Sequence, residues 1–173
     1  MSATTDNTLE LITPVILEFG KAVHICQIFE SSLCLLLSLM AHESSEGEEG
    51  AFKASWDFHS NKTLGALLKS LREKIDVPKD LELFLDEGIK KRNKVIHGFL
   101  TRNGMRLVDP KGRLEVEQEL VTLRNEIKSR DVVINELLNT LLKKYGTSNE
   151  QLKRNADRLW EHLNSETLSS GVH

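Results

Sequence analysis

Residues 11–40 read LITPVILEFGKAVHICQIFESSLCLLLSLM, and their periodicity decides the fold class. Ile12, Ile16, Phe19, Val23, Cys26, Leu33, Leu37 and Met40 recur mostly at alternating steps of three and four, which places them on one face of an α-helix. Thr13-Pro14 suits the start of that helix, with Thr as cap and Pro in the first turn. Glu30 interrupts the stripe where an apolar residue is expected, and His24 lies beside it. A carboxylate on a core-facing stripe either lies near an edge or has a partner. Glu30 is read first as a solvated flank; the alternative is that Glu30 and His24 approach a site inside a helical bundle.

Outward from this stretch the helical signal persists. Residues 1–10 are polar and are expected to be disordered, and Glu43–Gly50 reads as an acidic exposed loop. Phe52, Trp56 and Phe58 suggest a short helix or turn packed on the core. Residues 60–74 follow, with Ser60 as cap and Leu64, Leu67, Leu68 and Leu71 as the buried stripe. Pro78 breaks the chain, and Asp80 caps a further helix carrying Leu81, Leu85, Ile89 and Ile96. Between about 99 and 114 the pattern predicts a small hairpin or an ordered loop. Asn103-Gly104 is a two-residue hairpin signal and Asp109-Pro110-Lys111-Gly112 a second turn. Residues 116–145 predict a long helix, roughly 45 Å, with Leu120, Leu123, Ile127, Ile134, Leu137 and Leu141 at heptad spacing and Arg130 in the seam. It packs on the first helix or on a second subunit. A last amphipathic helix from Ser148 carries Leu152, Ala156, Leu159 and Leu163, and 165–173 reads as a flexible tail. The expectation is one all-α domain over residues 11–164.

Composition bounds the function. A net charge of −3 over 173 residues gives no global positive field, so any nucleic-acid contact must be local. Cys26 and Cys34 stand eight positions apart on one helix and cannot bridge each other; buried reduced thiols suit a reducing compartment. No CxxC or Cys/His cluster suggests a metal site, and no cofactor motif is present. The N-terminus carries no positive charge and does not look like a signal peptide. The most apolar run, Leu33 to Ala41, is shorter than the roughly 20 residues that span a bilayer. A cytoplasmic protein without a membrane role is expected.

The chemistry-bearing stretch is Lys90-Lys91-Arg92-Asn93-Lys94-Val95-Ile96-His97-Gly98. Asn93 and His97, four apart, share a helix face. Arg92 lies about 140° around the axis from His97, but a long guanidinium can swing toward the imidazole. These are the groups that metal-free RNA cleavage requires. Neutral His takes the ribose 2′-OH proton near neutral pH. Arg balances phosphorane charge bidentately. Asn orients the imidazole or holds a phosphate oxygen. Lys90, Lys91 and Lys94 are candidate nucleic-acid contacts, or an ordinary solvated face. One His cannot easily serve as base and acid at once; two copies across a dimer axis could divide the roles.

Arg92-Asn93-Lys94-Val95-Ile96-His97 resembles the signature of the HEPN superfamily, an Arg followed by a polar residue and then a His after a short spacing. Lys91 before it and Gly98-Phe99 after it resemble the flanks of prokaryotic members, and Lys62-Thr63-Leu64-Gly65 resembles a helix start seen in some of them. The resemblance extends loosely from Leu11 to about Tyr145, and only the six-residue motif is specific. It implies an up-down bundle of four to five helices that forms a homodimer with two motifs face to face. It also implies a metal-independent endoribonuclease of toxin–antitoxin or phage-defence type, with RNA as substrate and an antitoxin or other protein as partner. Arg92 and His97 would be its catalytic pair and Asn93 their support.

Blander readings stand beside these. His97 caps helix-end carbonyls. Arg92 is a surface residue, or pairs with Asp86 or Glu87. The chain is a non-catalytic HEPN scaffold that dimerises or binds a ligand, or a coiled-coil adaptor in which the motif is coincidence.

Overall fold

The computed structural model describes residues 3–46, 48, 50–74, 77–144, 146, 150, 151 and 154. The chain divides into two compact units, Met1–Ile134 and Asn135–His173. Among the described residues there are six α-helices, one 3-10 turn and no strand, an all-α helical bundle. The expected stripe Leu152, Ala156, Leu159 and Leu163 and the tail from Ser165 lie outside the described residues.

Helix α1 spans Ala3–Ser44, so it begins ahead of the expected Thr13-Pro14 boundary and through much of the segment expected to be disordered; Pro14 sits inside it. Its inward stripe is Val15, Glu18, Ala22, Cys26, Phe29, Leu33, Leu37 and Met40. From Cys26 onward this is largely the expected face. Before Cys26 the face is rotated by one position, and Ile16 is 43% exposed. The cause is Glu18, which is buried because Arg124 pairs with it at 2.7 Å and Lys21 at 3.3 Å. A paired carboxylate can occupy the inner face, and the branched residues beside it then turn outward. By length and composition α1 could cross a bilayer. Here α2, α3 and α4 pack on it, and a core helix has the same composition.

Helix α2 spans Ala51–His59 and buries His59. Phe52 and Trp56 are half-buried, whereas Phe58, expected in the core, is exposed beneath the Lys62 ammonium, which lies 3.6 Å from the ring centroid. Helix α3 spans Leu64–Lys74 and buries Leu64, Leu67, Leu68 and Leu71 as expected. Its cap is Thr63, whose Oγ1 accepts the Ala66 N–H at 3.4 Å; the expected cap, Ser60, closes α2 instead. Helix α4 spans Lys79–Ile96 after Pro78. Arg72 of α3 reaches both Glu82 (2.8 Å) and Asp86 (3.0 Å) on α4. Of the expected α4 stripe only Leu85 is fully buried, joined by Gly88 and Val95.

The expected hairpin is absent. Phe99–Arg102 forms a short helix α5 and Gly104–Val108 a 3-10 turn. Gly98, at φ 74°, reverses the chain after α4, and Phe99 is buried against Phe19, their rings 6.4 Å apart. The Asn103 side chain donates to the Phe99 carbonyl, so it closes a helical turn and leaves no strand to pair. The expected second turn is a helix start: Asp109 Oδ1 accepts the Gly112 N–H at 3.0 Å, with Pro110 at the first position. Helix α6 therefore begins at Pro110 and runs to Lys144. In the first unit Val116, Leu120, Leu123, Ile127 and Ile134 are buried. In the second, Leu138 and Leu142 are buried in place of the expected Leu137 and Leu141.

Two outcomes follow from this packing. A Cβ at position 112 would stand 2.1 Å from the Arg106 carbonyl oxygen. Gly112→Ala should therefore lower stability by about 1–3 kcal/mol although Ala is the better helix former; a urea midpoint at or above wild type would contradict this. His59 is buried, and burial, with Lys62 and Lys74 nearby, holds its imidazole below the ordinary range. The unfolded chain then binds the proton more readily, so stability should fall as pH drops through about 6.5. In His59→Gln the difference between urea midpoints at neutral and mildly acidic pH should shrink.

Candidate functional site

The motif occupies the last turn of α4, and three features hold it. Arg92 Nε donates to Glu30 Oε1 of α1, an ion pair in which both side chains are largely shielded from water. That leaves Nη1 free to face Asn93 Oδ1 at 3.1 Å and His97 Nε2 at 3.4 Å. A guanidinium only donates, so the second contact holds when Nε2 carries a lone pair, which is the form of a general base. The third feature is the closure of α4: Arg102 Nη2 donates to the Lys94 carbonyl at 2.7 Å and Nη1 to that of His97. Arg102 therefore takes the carbonyl-capping role expected of His97, and the imidazole stays exposed beside Arg92.

These side chains open onto a groove of about 480 Å³. Its walls are Arg92, Asn93, His97 and Ile89 of α4 on one side and Asn61, Lys62, Thr63, Leu64 and Gly65 on the other. Residues 61–65 and the last turn of α4 thus face a single cavity. The N-terminal end of α3 lies in this wall, adding the partial positive charge of a helix start to the cations Arg92 and Lys62.

The three lysines take other positions. Lys90 pairs with Glu87, Lys91 with Glu126 of α6 at 3.0 Å, and Lys94 with Glu119 of α6 at 2.8 Å. None of them lines the groove. Burial pushes the Glu119 carboxyl up, but hydrogen bonds from Lys94 and Arg106 outweigh it and hold the group below the ordinary range. Cys26, one turn before Glu30, is pushed up to about 11 by burial, with Arg92 opposing and Glu30 adding. It is a poor nucleophile at neutral pH. His24 lies in a separate groove with Lys21, Arg124 and Lys128 and does not join the motif. Among the described residues no cluster of three or more His, Cys, Asp or Glu side chains is placed to hold a metal ion.

Glu30 is no solvated flank: it takes the alternative expected for a carboxylate on the apolar stripe and approaches the motif, while His24 does not. Sequence reasoning did not anticipate Lys62 as a groove cation. No family model, no curated protein and no solved structure matches the chain.

The ion pair yields a direct test. Glu30→Gln and Arg92→Gln should each cost about 1–3 kcal/mol, since each leaves a part-buried charge without its counter-charge. In the double variant the costs should fail to add by at least about 0.5 kcal/mol. Strict additivity in urea unfolding would mean that the pair does not form in solution.

Proposed function

We propose that this chain is a cytoplasmic, HEPN-type metal-independent endoribonuclease of toxin–antitoxin or phage-defence type, acting as a homodimer. The observation that carries the reading is Arg92 Nη1 within reach of both Asn93 Oδ1 and His97 Nε2 at the wall of an open groove. His97 Nε2 takes the proton from a ribose 2′-OH, and the 2′ oxygen attacks the adjacent phosphorus. Arg92 balances the charge that builds on the phosphorane oxygens. The bond to the 5′ oxygen breaks, and the imidazolium of the second copy's motif returns a proton to it. The products are a 2′,3′-cyclic phosphate and a 5′-hydroxyl. Asn93 holds the guanidinium in register with the imidazole.

A non-catalytic scaffold reading is favoured by different observations. All four cations of the stretch, Lys90, Lys91, Arg92 and Lys94, are ion-paired within the protein. In that reading the groove binds a ligand phosphate and turns nothing over.

Induced expression of wild type beside His97→Ala separates the two. The endoribonuclease should arrest growth and generate new 5′-hydroxyl RNA ends, and His97→Ala should lower cleavage by about 100-fold or more with helicity unchanged. Chelators should leave the wild-type rate intact. Equal cleavage by both proteins, or dependence on an added divalent metal, would overturn the mechanism. A chain that sediments only as a monomer at micromolar concentration would exclude the two-copy site.

A further inference from the structure

A smaller cavity of about 180 Å³ is lined by Gln27, Glu30 and Ser31 of α1, Trp56 of α2, Lys62 and Leu67, among others. Lys62 lines both spaces, and Glu30 in the smaller one is ion-paired to Arg92 in the larger. We propose that the side cavity receives one unpaired nucleobase of single-stranded RNA, stacked on Trp56, while an adjoining phosphate lies between Lys62 and Arg92. This assignment rests on the RNA-cleaving reading above and extends it from the reacting phosphate to the base beside it.

Four observations support it. The half-buried indole lines the same cavity as the cation Lys62, the pairing of aromatic and cation by which single-stranded nucleic acids are held. The wall carries polar groups that the protein does not use: the Gln27 amide, the Ser31 hydroxyl and the Trp56 N–H take part in no hydrogen bond among the described residues. Glu30 spends one carboxylate oxygen on Arg92, leaving the other able to accept from a base amino or imino group. Finally, Lys62 is held by the Phe58 ring at 3.6 Å and by Ser70 Oγ at 3.5 Å, and its side chain lines both the groove and the smaller cavity.

The chain has two tryptophans, Trp56 and Trp160, so the full chain carrying Trp160→Phe reports on Trp56 alone. Its fluorescence is titrated with 2′-O-methyl oligoribonucleotides, which cannot be cleaved because the attacking hydroxyl is blocked. The same titration is run with a matched oligomer lacking bases. The expected result is quenching by the complete oligomer and affinity about tenfold weaker, without quenching, for the abasic one. Trp56→Ala should weaken binding of the complete oligomer about tenfold by filter retention. Trp56→Phe, which keeps an aromatic face and guards against loss of fold, should stay within about threefold. Equal affinity for the abasic oligomer, or unchanged affinity in Trp56→Ala, would overturn the base pocket and leave the phosphate groove and the His97 chemistry standing. Absence of binding by every oligomer would overturn the RNA reading and the pocket with it.

Discussion

The pairing of Glu30 with Arg92 ties α1 to α4 and decides what the motif can do. A guanidinium has two edges. With Nε committed to Glu30, only the Nη side is left to reach Asn93 and His97. The pair requires α1 and α4 to approach closely at one level, and the packing next to it sets that approach. Phe29 precedes Glu30 on α1, and Gly88 lies one turn before Arg92 on α4. A Cβ at Gly88 would stand 3.4 Å from the Phe29 ring and 3.0 Å from Arg130 Cγ. Gly88 thus admits both side chains. Arg130 from α6 then seats its guanidinium over the Phe84 ring at 4.4 Å and donates to the Phe84 carbonyl. The arginine in the apolar seam of α6 belongs to the same junction that aims Arg92.

Charge is distributed by the same logic. Four cations crowd the end of α4, yet only one of them faces the groove. The lysines turn to carboxylates, two of them on α6, and fasten α4 to that helix. The second groove cation comes from the turn before α3. An acidic protein therefore keeps a small positive footprint, with Arg92, Lys62 and the α3 N-terminus around one cavity. Such a footprint suits a contact of one or two phosphates and does not suit tracking along a long polyanion.

How much of this was legible in the sequence depended on whether a partner mattered. The helices α1, α3, α4 and α6 follow from apolar spacing, because burial of a stripe is a property of one segment. The Leu64–Leu71 stripe is local in this sense. The inward face of α1 before Cys26 was not legible, since the buried Glu18 pairs with Arg124, more than a hundred positions away. The segment after Gly98 failed for a related reason. Asn103-Gly104 is a hairpin signal only when flanking strands can pair. Here Phe99 is drawn into the core by Phe19, and the side chains of Arg102 and Asn103 satisfy carbonyls behind them. Asp109-Pro110 carries the chemistry of a turn and of a helix cap alike, and only the 35-residue helix that follows selects the second. At the site, Arg92, Asn93 and His97 were legible as neighbours on one turn, whereas Glu30 and Lys62 came from elsewhere in the chain.

The end of α4 shows how the local and the distant cooperate. A histidine at a helix C-terminus ordinarily has a use for its charge, because free carbonyls and the helix dipole favour an imidazolium there. In this chain Arg102 reaches back to the carbonyls of Lys94 and His97 and brings a permanent cation to that position. The reach depends on the chain reversing at Gly98, where a φ of 74° suits the residue without a side chain. With Arg102 on those carbonyls, the exposed imidazole lies at the edge of the groove, its Nε2 3.4 Å from Arg92 Nη1.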